Sequence, residues 1–121
     1  VYCSLPTILF DMSIPEQIQN EVLRPILKAQ NDLFILLFRH QVSKRKVNFE
    51  NYSPEDKVIY IEKTIRKDIN FRSLLVGTVV GHFTPEQYEI YRPLEEELNK
   101  RIINMLIKRL CSQLELLVVN P

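Results

Sequence analysis

Two glycines, Gly77 and Gly81, are all that this chain carries in 121 residues. All-β domains need glycine at many of their turns, because glycine alone enters positive φ without a steric cost. A chain this poor in glycine must have few turns and long elements, which points to helices. Its length fits one domain able to bury a core without disulfide or metal staples. With 45% hydrophobic and 26% charged residues and a formal net charge of +1, the composition is that of a folded protein. That balance gives no global electrostatic reason to expect nucleic acid or an acidic membrane as partner.

Three helix starts are written into the chain. Ser53-Pro54-Glu55-Asp56 places a capping hydroxyl before a proline whose fixed φ suits the first turn, with acids facing the positive end of the dipole. Thr84-Pro85-Glu86-Gln87 repeats this as a capping box, and Phe83 and Tyr88 flank it at hydrophobic-staple positions. Ser13-Ile14-Pro15-Glu16 is a third, slightly displaced version. The segments Tyr52 to Tyr60 and Phe83 to Tyr91 resemble one another, and shared capping explains this better than a repeat array.

Apolar periodicity extends each start into a long helix. Ile18, Val22, Ile26, Leu33 and Leu37 recur at helical spacing, and the run Leu33 to Phe38 is apolar all round. Pro25 should kink this helix or divide it. The second stripe reads Val58, Ile61, Ile65, Ile69, Val76, Val79 and Phe83, with Gly81 placed as a C-terminal cap. The third is the most regular: Tyr88, Tyr91, Leu94, Leu98, Ile102, Leu106, Leu110, Leu114 and Leu117. Unbroken, it would be ~45–50 Å long at about 1.5 Å per residue.

The expected fold is therefore all-α: a bundle of three long, kinked helices over residues 14–43, 54–82 and 85–117. The alternative is a globin-like packing of shorter helices, broken at Pro25, near Asn70 and at Pro93. Residues 1–12 form an N-terminal arm with a short strand over 7–12, and residues 13–121 a single helical domain.

Chemistry-bearing constellations are scarce. The two cysteines, Cys3 and Cys111, are far apart and read as reduced thiols, which together with the lack of a signal peptide leads us to expect a cytoplasmic protein. The chain opens on Val1, which leaves room for an upstream piece. No apolar run is long enough to span a bilayer. Neither histidine has a ligand at metal-binding spacing. His82 follows Gly81 near a helix C-terminus, where the dipole favours an imidazolium; it is a weak ligand candidate, and no cofactor is expected. Cys111 follows Lys108-Arg109, cations able to lower a thiol pKa, although a packing role fits it better. Glu95-Glu96-Glu97 fan out around a helix instead of converging on a reaction centre. No nucleophile elbow, phosphate-cradling glycine loop or dinucleotide fingerprint occurs.

Two features speak for partners. Gly77 and Gly81 share one helix face and permit close helix approach, so Gly77, Gly81 and the terminal leucines Leu110, Leu114 and Leu117 form the expected helix-packing interface. Arg39, Lys44, Arg45 and Lys46 make the densest basic stretch, a contact patch for phosphates or an acidic partner. A different reading comes from Ile8-Leu9-Phe10-Asp11-Met12-Ser13-Ile14-Pro15-Glu16-Gln17-Ile18, which resembles the opening of ribbon-helix-helix repressors. That resemblance implies strands paired across a dimer and outward residues Thr7, Leu9, Asp11 and Ser13 in a DNA groove. The principal expectation is a non-enzymatic helical regulatory or scaffolding domain that acts through protein contacts and self-associates as a homo-oligomer. The alternatives are the ribbon-helix-helix DNA binder and a globin-like small-molecule sensor.

Overall fold

The computed structural model describes residues 13–118. Among them the chain is all α, with no strand, and no helix is long and apolar enough to cross a membrane. The expected arm and strand lie outside the described residues.

Each of the three expected helices is subdivided. The first begins where Ser13 Oγ accepts the Glu16 N–H at 3.2 Å. It runs as α1 (Ile14–Ile18), a π-helical turn (Gln19–Leu23), α2 (Arg24–Ala29) and α3 (Asn31–Lys44). Pro25 neither ends nor splits it. A proline lacks the N–H and presses its ring against the carbonyl four residues back, here that of Glu21. The π-turn, in which the Arg24 N–H bonds the Gln19 carbonyl, widens the backbone just upstream and lets the helix pass through. The break falls instead at Gln30 (φ −105°, ψ 21°), which makes no side-chain cap.

These departures rotate the buried face. The core takes Leu23, Leu27, Phe34, Ile35, Phe38 and Val42, while Val22, Ile26 and Leu37 are only half-buried. The apolar run from Leu33 to Phe38 is not covered all round either, for Leu36 is 57% exposed.

Ser53 caps α4 (Pro54–Lys67), its Oγ accepting the Asp56 N–H at 3.1 Å. The expected second helix stops there because Asp68 takes an extended conformation (φ −83°, ψ 98°). Its carboxylate then accepts the Phe71 N–H at 3.1 Å and opens α5 (Ile69–Val80). The change of direction carries Ile69 out of the stripe and leaves it 76% exposed.

Thr84 closes its capping box with Gln87, by bonds of 2.9 and 3.1 Å, and opens α6 (Pro85–Tyr91). Phe83 meets Tyr91 edge-on at 5.4 Å between ring centroids, and Tyr88 leans on the same ring. A 3₁₀ turn, Arg92–Leu94, accommodates Pro93 before α7 (Glu95–Cys111). The third expected helix thus ends at Cys111, with only a further 3₁₀ turn, Leu114–Leu116, beyond it.

The helix α7 is the spine, packing on α4, α5 and the π-turn. Leu98, Ile102, Ile103, Leu106 and Leu110 along it are at most 1% exposed. Each such side chain contributes about 1.5–3 kcal/mol of burial. A reciprocal amide pair, Asn31 with Gln113 at 2.8 and 2.9 Å, ties the start of α3 to the chain beyond α7.

Candidate functional site

The connection after α3 shapes a large cleft. Helix α3 ends with the Lys46 N–H on the Ser43 carbonyl and the Val47 N–H on the Val42 carbonyl, the paired bonds of a Schellman cap. Lys46 occupies the position usually given to glycine, at φ 55°. This cap turns Arg45 and Val47 toward α4. Behind them Phe49 is buried and touches Phe38, Tyr52 and Tyr60 at centroid separations of 5.6, 6.0 and 5.7 Å. Tyr52 and Tyr60 meet edge-on at 6.0 Å. Two tyrosines are thereby held as a stiff wall on a phenylalanine floor.

That wall borders a cleft of about 960 Å³, lined also by Arg45, Lys63, Thr64, Lys67, Asp68 and the start of α5. Asp68 is the organising group. Its carboxylate accepts from Gln41 Nε2 at 2.9 Å, from Phe71 N–H, and from Arg45 in an ion pair. The Phe71 N–H and the Arg45 guanidinium hold its carboxyl below the usual carboxylate range, against partial burial that works to raise it.

A second groove, about 550 Å³, lies between α5 and the α6–α7 region, lined by Ile69, Arg72, Ser73, Val76, Gly77, Val80, Tyr88, Tyr91, Glu95 and Asn99. Tyr91 at its base is buried and donates to Asn99 Oδ1 at 2.6 Å; burial, with Glu95 nearby, pushes its phenol pKa up. Arg72 and Glu95 face this groove without an ion pair to any described residue. Ile69 lines both clefts. A third depression, about 650 Å³, is lined by two ion pairs, Arg101 with Glu97 and Arg66 with Glu62, and by Asn104, whose Oδ1 accepts from Arg66.

The sequence-derived candidates fall in separate places. Gly77 is exposed on the floor of the second groove, and a Cβ there would meet nothing within 4 Å. Gly81 is a C-cap in right-handed geometry (φ −61°), and a Cβ there would meet the Gly77 carbonyl oxygen at 3.2 Å. Leu110 and Leu117 are buried in the chain's own core, so this chain itself covers them, and Leu114 is half-buried beside them. Of Arg39, Lys44, Arg45 and Lys46, only Arg45 lines the first cleft; Lys44 joins it at a small hollow beside Asp68 and Leu74. His82 is exposed, with Nδ1 2.8 Å from the Thr78 carbonyl at the end of α5. Among the described residues no group of three metal-ligating side chains converges. Cys111 is half-buried, and burial, with Glu62 nearby, pushes its pKa up.

Sequence reasoning missed Tyr52, Tyr60, Lys63, Lys67 and Asp68 as neighbours of Arg45. A local signal existed for four of the five in the spacing of α4 and the cap-forming identity of Asp68. The contact with Arg45 itself is tertiary. Compared with known protein families, curated proteins and solved structures, the chain matches none of them.

Proposed function

We propose that this chain is a non-enzymatic regulatory or scaffolding domain that works through protein–protein contacts in the cytoplasm, and that it pairs with a second copy of itself through the outer face of α5. The observation that supports this is the division of labour on α5. Phe71, Leu75 and Val79 supply its core face, yet the opposite side is also rich in apolar or small residues. Ile69 is 76% and Leu74 49% exposed, and Ser73 and Gly77 leave a shallow floor between them. A helix apolar all round is normally buried all round.

A like copy suits this face because the groove carries one cation and one anion, Arg72 and Glu95, that have no ion pair among the described residues. A two-fold axis brings the Arg72 of each copy toward the Glu95 of the other, so the surface complements itself. Light scattering over a micromolar to submillimolar range tests this with the full chain. We expect the mass to double, Arg72→Glu to dissociate the pair, and Arg72→Glu combined with Glu95→Arg to restore it. A monomer throughout that range removes the self-association.

A further inference from the structure

We propose that the cleft between α4 and the 45–52 connection binds a small organic phosphate that carries a flat ring, of the mononucleotide kind. This goes beyond the self-association above and is argued from different side chains, although Ile69 borders both surfaces. On α4, Tyr60, Lys63, Thr64 and Lys67 follow one another at helical spacing and all four line the cleft, so one face of the helix is committed to it. Arg45, Val47 and Tyr52 form the facing wall.

The charge distribution decides the sign of the ligand. Three cations, Arg45, Lys63 and Lys67, line the cleft against one carboxylate, Asp68. Asp68 is already engaged by Arg45, Gln41 and the Phe71 N–H. Lys63 and Lys67 make no ion pair with any described residue, although they stand four apart on one helix, where like charges repel. The acid next to Lys63 in sequence, Glu62, pairs with Arg66 instead. In a chain whose net charge is only +1, this is a local excess that a dianion would neutralise, and lysine serves phosphate well as a point charge.

The ring is inferred from the other wall. Tyr52 and Tyr60 are backed by Phe49 and Phe38 and present half-exposed aromatic surface, on which a planar base can stack. The hydroxyls of Tyr52, Tyr60 and Thr64 have no hydrogen-bond partner among the described residues and remain free for ribose or phosphate oxygens. A volume of about 960 Å³ lies at the upper end of the range for small-molecule sites, and leaves room for ring and phosphate together.

Calorimetric titration of the full chain at low salt with AMP, adenosine, inorganic phosphate and an oligoglutamate peptide tests the assignment. We expect AMP to bind saturably and at least about tenfold more tightly than either adenosine or phosphate, since it alone engages both walls. Lys63→Gln with Lys67→Gln should weaken AMP by about tenfold or more. Lys28→Gln with Lys100→Gln, the same loss of charge elsewhere, should leave it unchanged. All four side chains are surface groups, and circular dichroism checks that both variants fold. Three results overturn the proposal: AMP binding equal to that of phosphate, equal weakening by both double variants, or saturable binding of oligoglutamate alone. None of them touches the α5 face, whose own test is the mass by light scattering.

Discussion

Asp68 concentrates more of this molecule's organisation than any other side chain described. It terminates α4, caps α5 through the Phe71 N–H, and holds Gln41 and Arg45 from the end of α3. Its carboxyl pKa is lowered on folding, by the Phe71 N–H first and by Arg45, with burial opposing. A group whose folded pKa is depressed binds fewer protons in the folded state than in the unfolded state. Its stabilisation is therefore complete above the ordinary carboxylate range and is lost as pH falls through the lowered folded value. Asp68→Asn retains an oxygen for the Phe71 N–H but removes the charge, so thermal melts of this variant should show a flatter acid limb than the parent. Asp68→Ala removes the cap as well and should cost about 1–2 kcal/mol more broadly across pH. If both variants follow the parent's pH profile, Asp68 is not the group that sets it.

At the scale of the elements, the chain's caps were legible and its breaks only in part. The alternative of shorter helices put breaks near Asn70 and at Pro93, and interruptions fall at Asp68 and Arg92–Leu94, whereas periodicity alone ran through them. Ser13, Ser53 and Thr84 announce helices because a cap is a local bond between residues three apart. The break at Asp68 was obscured because Ile61, Ile65 and Ile69 keep helical spacing across it, although Ile69 faces water. The π-turn before Pro25 and the break at Gln30 turn the first apolar face in a way periodicity cannot anticipate. The cleft was illegible for a different reason: Arg45 belongs to one helix end and Lys63 and Lys67 to another helix, and only packing makes them neighbours. The glycine spacing was visible, yet its two members differ. Gly77→Ala adds a Cβ to open space and should stabilise the isolated chain by about 1 kcal/mol through helix propensity. Gly81→Ala presses on the Gly77 carbonyl oxygen and should give no such gain. Chemical denaturation at low protein concentration separates them. If α5 pairs across its Gly77 floor, Gly77→Ala should at the same time weaken the dimer in light scattering.

For the whole molecule the governing feature is that one helix joins several packing layers. Because α7 contacts α4, α5 and the π-turn, its buried leucines belong to no single sub-region. Leu106 is fully buried at the middle of that spine, whereas Leu36 on α3 is 57% exposed. Leu106→Ala should therefore cost about 2–5 kcal/mol, the lost transfer energy together with an imperfectly filled cavity. Leu36→Ala should stay within about 0.5 kcal/mol, as surface changes do. The first cost is a large share of the total for a domain of this size, roughly 5–15 kcal/mol. The chain also supplies its own reporters: it has no tryptophan, and its described tyrosines stand at the cleft (Tyr52, Tyr60) and beside the α5 groove (Tyr88, Tyr91). A single core predicts that tyrosine fluorescence and helical circular dichroism give one coincident transition, moved as a unit by Leu106→Ala. Separate transitions, with only one displaced, would show that the spine does not couple the two ends, and the cleft and the α5 face would then have to be treated as belonging to independently melting parts.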